Sequence, residues 1–233
     1  MVVIINPFFI QTEKFTRFVV NCAVNHLSTL RQKTNRAESR SACLDFWVVD
    51  LIPSSIDLSG METNLVNAMS REFTLRSYLG QVKHEYDHII IDCPPSLSML
   101  TINALAASNS VIVPVQAQYL PAKGMTQLMK TIGKVRKQIN PDLKVDGVLL
   151  TLADMRTNLA RVTVDTLRQQ YGSVLKIYRT QIPIAVKAAE ISAAGQSIFT
   201  YDKGSKVAQA YAEFTKEVLA DETRAKAKPA PGR

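Results

Sequence analysis

The plainest chemical signal in the chain is Asp87-His-Ile-Ile-Ile-Asp92-Cys-Pro-Pro-Ser96. A run of apolar, β-branched residues ends in a carboxylate, and two prolines follow. The run His88–Asp92 has the pattern of a strand buried on both faces. In open α/β sheets, ligands gather beyond the carboxyl ends of the strands. A carboxylate in that position can hold Mg²⁺, often through water, beside the phosphates of a nucleoside triphosphate. The prolines stop the strand and stiffen the turn. The same spacing is equally met if Asp92 only caps that turn. Lys203-Gly-Ser-Lys206 has the residue types of a phosphate-binding loop, but in the wrong order and without preceding glycines. The three cysteines, Cys22, Cys43 and Cys93, show no metal-ligand spacing and read as reduced thiols.

The elements that must position Asp92 follow from periodicity. Phe46–Val49 is a short β-prone run. Met61–Glu85 has helical spacing, with Leu65, Met69, Phe73, Leu75 and Leu79 broadly on one side. Ser98–Ala107 reads as a short helix and Val111–Val115 as a strand. A long helix follows, with Leu128, Ile132, Val135 and Ile139 on one face and Lys130, Lys134 and Lys137 on others, stopped by Asn140-Pro-Asp142. Gly147–Thr151 is a strand, Thr157–Tyr171 a helix, Leu175–Tyr178 a strand, and Val186–Ala194 and Lys206–Ala220 are helices. Continuous apolar strands alternating with amphipathic helices predict an α/β fold: a doubly wound, mainly parallel sheet with helices on both faces.

The net charge of +8 sits at the ends. Residues 1–43 carry six Lys/Arg against two Asp/Glu, and residues 223–233 carry four Lys/Arg and no acid. Residues 44–222 are balanced, so bulk charge gives the central domain no nucleic-acid signal and any such surface must be a local patch. The expected organisation is a divergent segment over 1–43, with a basic linker at Arg31–Ser41, a single domain over 44–222, and a disordered basic tail over 223–233. No apolar run approaches the roughly 20 residues that cross a bilayer. The tail has no apolar face for lying on one.

Asp92-Cys-Pro-Pro-Ser-Leu97, followed by Thr101-Ile-Asn-Ala-Leu105 and Val113-Pro-Val-Gln116, resembles the Walker B and switch region of the ParA/MinD-type (Soj-like) partitioning ATPases. Leu51–Gly60, Gly147–Thr151, Arg156-Thr-Asn158, Ile182-Pro183 and Ser197–Asp202 resemble further landmarks of that family, in the right order, from about Leu51 to Leu219. The resemblance implies a P-loop NTPase-like fold that uses ATP and Mg²⁺. Asp92 would hold the metal through water. Asp92, Cys93, Pro94, Pro95, Gln116, Thr151 and Pro183 would line the nucleotide, with Lys14 as the remnant of the phosphate-loop lysine and Val20-Asn21 opening the helix after it. It also implies a homodimer that binds DNA non-specifically through Arg161, Arg168, Lys187, Lys203 and Lys206. The partner would be a centromere-binding, ParB-type protein, and the setting cytoplasmic and nucleoid-associated, without a membrane.

Three departures weaken the expected chemistry. The family opens with a glycine-rich loop, KGGxGK[ST], whose backbone N–H groups cradle phosphate. No glycine precedes Gly60 here, and Pro7-Phe-Phe-Ile10 stands where the glycines belong. The family's second acidic motif, Asp-x-Asp-Pro, is absent, and Ile184 replaces the arginine after Ile-Pro. ATP hydrolysis is therefore expected to be weak or lost. The alternatives are a non-catalytic scaffold on the same fold, or a gene fragment whose first 43 residues are replaced or frame-shifted. Val2–Ile5 is expected to pair beside Ile89–Ile91, because an unfilled central strand would leave open edges and an uncovered apolar face.

Overall fold

The computed structural model describes residues 2–5, 18–21, 50–52, 65, 68–93, 98–117, 122–194 and 196–227. The fold is α/β, a parallel sheet with helices on both sides. The described chain forms two compact units, the first from residues up to 114 together with 122–147, the second from 115–117 and 148–227.

The first unit holds β1 (Val2–Ile5), β2 (Phe18–Asn21), β3 (Asp50–Ile52), β4 (Ile89–Cys93) and the start of β5 (Ser110–Gln116), in the order β3-β2-β4-β1-β5. Every pairing in this run for which the register is defined is parallel. In β4, Ile89, Ile90, Ile91 and Cys93 are all buried, as a strand covered on both faces requires. The expected pairing of Val2–Ile5 is borne out: Val2 registers with Ile90, Val3 with Ile91 and Ile4 with Asp92, while the other side of β1 lies along β5.

Val20-Asn21 needs a correction. These residues do not open a helix; they end β2, which pairs with β3 and with β4. Phe18-Val-Val20 is aromatic and β-branched, and the second edge of β4 gives such a run a ladder to join. The Met61–Glu85 reading also changes. Among the described residues Leu65 is helical and α1 runs over Thr74–Val82, flanked by 3-10 turns at Arg71–Phe73 and Lys83–Glu85. Leu65, Leu75 and Leu79 are buried as expected, but Met69 is 97% exposed and Phe73 only half-buried, because the chain turns at Ser70 in a left-handed conformation.

Helix α2 (Met99–Ala107) packs on α1. Asn103 locks the two together: its amide donates to Arg71 O and Met99 O, and its Oδ1 accepts from Leu75 N. Helix α3 (Ala122–Gln138) buries Met125, Leu128, Ile132 and Val135 and exposes Lys130, Lys134 and Lys137, as its spacing predicts. Asn140, just past its end, is buried and donates to the carbonyls of Leu105 (2.9 Å), Ala106 (3.4 Å) and Ser108 (2.7 Å). It ties the end of α3 to the loop that launches β5.

The second unit is built on β6 (Lys144–Ala153) from Val148 onward and β7 (Ile177–Pro183), paired in parallel, with α4 (Asn158–Tyr171), α5 (Val186–Ala194), α6 (Ile198–Tyr201) and α7 (Lys206–Ala227). The periodicity of the sequence places α4 and α5 well but begins the last strand early and omits α6. Helix α7 packs along β7. Phe214 meets Tyr178 edge-on at 4.9 Å, and Glu217 accepts from Arg179 N, Thr180 N and Thr180 Oγ1. The tail reading is corrected in part, since α7 continues through Thr223 to Ala227. Ala, Glu, Arg and Lys are strong helix formers, and Arg224 approaches Asp221 one turn back, so the helix extends without apolar residues.

Candidate functional site

Asp92 stands at the carboxyl edge of the first unit. It registers with Ile4 near the end of β1 and with Asn21 at the end of β2, so three strands finish within a residue of its level. Its Oδ1 is buried and finds no hydrogen-bond partner among the described residues. Burial pushes the carboxyl from its ordinary 3.8 to about 6. A buried acceptor without a donor is costly and rare in folded proteins. The turn that follows, residues 94–97, lies outside the described residues. The buried oxygen fits a divalent cation, which supplies the missing positive charge and is commonly held by one or two carboxylates plus water and phosphate oxygens. Cys93, the next residue, is buried and reduced. Pro94, Pro95 and Lys14 lie outside the described residues.

The second unit carries a cavity of about 380 Å³ beyond the ends of β6 and β7. Ala153, Met155, Gln181, Pro183, Gln209 and Glu213 are among its lining, with Lys206 at one side. Local backbone features shape its mouth. The β6–β7 register shifts between Leu150 and Ala153, and Leu152 sits there at φ 48°, a strained conformation for a branched side chain. Asp154 then receives Arg156 through Nε at 2.8 Å and Nη2 at 2.9 Å, and the Arg156 hydrogen bonds hold its carboxyl below the usual range. Thr157 caps α4 by accepting from Ala160 N.

The residues singled out in this part of the chain are therefore distributed. Pro183 lines the cavity; Thr151 is buried two residues short of it, and its carbonyl accepts from Ala117 N at 3.0 Å. That bond brings the end of β5, and with it half-buried Gln116, alongside β6. Of the basic set, Arg161, Arg168, Lys187, Lys203 and Lys206 are all exposed. Arg161 Nε donates to Met155 O at 2.9 Å, and Lys187 is held by Asp202 at 2.6 Å. Gln181, Gln209 and Glu213 are absent from the sequence reading. They come from a strand and a distant helix, and no short motif joins them.

A family model described as an AAA domain matches residues 10–145. Among curated relatives, the chain is 45% identical over 173 residues to the sporulation initiation inhibitor protein Soj of Bacillus subtilis, covering 74% of this chain and 68% of that protein. It is 41% identical to the chromosome partitioning protein ParA of Myxococcus xanthus, covering 75% of this chain and 61% of that one. Among solved structures, a cobyrinic acid a,c-diamide synthase from Mycobacterium smegmatis, with bound ADP and magnesium, superposes with a TM-score of 0.74 at 25% identity, over 100% of this chain and 99% of that one. A plasmid partition protein from Borrelia burgdorferi bound to AMPPNP shares the fold, with a TM-score of 0.68 at 17% identity, over 94% and 98% of the two chains. From the Asp92 strand through the later landmarks to these likenesses, the chain belongs to the ParA/Soj family of partitioning ATPases.

Proposed function

We propose that this chain is a DNA-partitioning protein that binds a magnesium nucleotide and hydrolyses it poorly or not at all. The observation that carries the reading is the orphaned Asp92 Oδ1 at the carboxyl edge of β4. Asp92 would hold the cation, through water. Bound Mg²⁺ supplies charge neutralisation at the phosphates. In the second unit, taken by itself, the cavity beside Pro183 offers an apolar surface from Ala153, Met155 and Pro183, with Gln181 and Gln209 as amide donors and acceptors. Poor hydrolysis follows from the sequence, since no glycine precedes Gly60 to free backbone N–H groups for the phosphates.

The chain acts as a homodimer in this reading, binds DNA non-specifically, and answers to a centromere-binding ParB-type partner. Arg161, Arg168, Lys187, Lys203 and Lys206 make the phosphate contacts. Lys187 is the weakest of these because Asp202 already neutralises it. Support comes from the chromosome-partitioning names of relatives at 38–41% identity. No described helix is long and apolar enough to cross a membrane.

Titration calorimetry of the full chain with ATP and Mg²⁺ tests the reading, with phosphate release measured in parallel. Binding that needs Mg²⁺ and is lost in Asp92→Ala, with little turnover, is expected. No heat at all would leave a scaffold that keeps the fold without the ligand, a reading the missing glycine loop favours. Turnover comparable with other partitioning ATPases would refute the impaired-hydrolysis claim.

A further inference from the structure

A second cavity, of about 290 Å³, lies in the same unit and is lined mainly by apolar groups: Pro183, Ile184, Val186, Ile198 and Val207, with Lys206 at its rim. Ile184 is 47% exposed and Val186 76% exposed, so two branched aliphatic side chains stand in solvent beside an apolar hollow. Together with the hollow they offer apolar surface that a partner can bury. The hollow sits at the small end of the roughly 300–1,000 Å³ range of small-molecule pockets, and it has few polar groups to orient a cofactor. It suits one or two large apolar side chains of a peptide.

The charges around it choose the peptide. Of the acids nearby, Asp202 is neutralised by Lys187 at 2.6 Å, while Glu190 accepts from the Tyr201 hydroxyl at 3.1 Å and keeps its single charge. Lys206 at the rim, and Lys203 in the turn leading to it, are exposed and make no ion pair among the described residues. The rim is therefore net positive over an apolar floor.

We infer that the groove between the β7–α5 turn and the start of α7 docks a partner-protein segment with an apolar anchor flanked by carboxylates. The anchor fills the hollow against Ile184, Val186 and Ile198, and the carboxylates meet Lys206 and Lys203. The segment and DNA would compete for Lys206 and Lys203; a DNA backbone matches the lysines but has nothing to bury against the aliphatic floor, which the segment alone covers. Pro183 and Lys206 also line the other cavity, which makes them a shared wall between the two sites. The docking itself does not depend on what that other cavity holds.

The test is fluorescence anisotropy of a labelled synthetic peptide, a Leu-Phe pair flanked by Asp and Glu, titrated with the full chain. Saturable binding is expected. It should weaken at least about tenfold in Ile184→Asp and in Val186→Asp, which lose the apolar contact and add repulsion. It should weaken less in Lys206→Gln, and a Lys-flanked peptide of the same core should not bind. Both aliphatic sites are exposed enough for the variants to fold, which circular dichroism checks; Val186, the more exposed, is the safer. Absent binding, or binding indifferent to both aspartate variants, overturns the proposal. So does a concentration-dependent dimer that Ile184→Asp disperses while the peptide stays unbound, which would make a second copy the occupant. Retention of a short DNA duplex that Ile184→Asp abolishes, without peptide binding, would assign the surface to nucleic acid instead.

Discussion

Replacing Asp92 by asparagine should stabilise the metal-free protein and abolish its response to magnesium nucleotide. The carboxyl is raised from 3.8 to about 6 by burial. The folded state therefore holds the proton more tightly than the unfolded chain does. Stability contributed by this group is fully present below the unfolded value, declines as pH rises through the folded value, and is gone above about pH 6. One unit corresponds to about 1.4 kcal/mol, so the shift sets a ceiling of about 3 kcal/mol. The side chain is only part-buried, and solvent screening together with the residual cost of a buried amide brings the expected gain to about 1–2 kcal/mol near neutral pH. Urea unfolding in EDTA, followed by far-ultraviolet circular dichroism, reads it directly. The asparagine variant should have the higher midpoint near neutral pH, and the two midpoints should converge below about pH 4. With saturating ATP and Mg²⁺ the order should reverse, because a ligand that binds only the folded state stabilises it and the variant cannot hold the cation. A variant less stable than the parent in EDTA near neutral pH, or a difference that does not move with pH, would refute the claim that Asp92 is an uncompensated buried charge.

Other consequences are more local. Asn140→Ala should cost about 2–4 kcal/mol in urea unfolding, since it strips donors from buried carbonyls at Leu105, Ala106 and Ser108. Glu217→Ala should lower stability by about 1–3 kcal/mol near neutral pH. Burial raises the Glu217 carboxyl, but hydrogen bonds from Arg179 N and Thr180 N and the Lys176 ammonium outweigh it and hold it below the usual range. Its stabilisation is therefore present above the unfolded value and is lost as pH falls through the folded one, so the variant and parent should converge in acid. Deleting residues 1–10 should abolish soluble expression, because β1 pairs with β4 on one side and β5 on the other. In filter binding to duplex DNA, Arg168→Ala should weaken retention and reduce the salt slope by about 0.9.

Much of the first unit is legible in the sequence, for a physical reason. A strand buried on both faces must be apolar along its whole length, so Ile89–Ile91 and Val111–Val115 are visible without any partner in view. Helix α3 is visible because a single buried stripe at spacings of three and four is hard to reach by another fold. Met69 and the tail are where residue pattern and structure part. Helical spacing counts apolar residues but does not register a turn such as Ser70, and lack of apolar residues hides a helix sustained by propensity.

The sequence by itself determined the carboxylate at a strand end, the order of the later landmarks and the lack of glycine before Gly60, because each depends only on residue type and spacing. The tertiary structure decided that β1 and β2 flank Asp92, that its Oδ1 is buried without a donor among the described residues, and that Asp202 neutralises Lys187. It also decided that Gln181, Pro183, Gln209 and Glu213 share one cavity. Pairing, desolvation and charge compensation are properties of neighbours in space, and residues far apart in the chain become neighbours only when the backbone has closed around them.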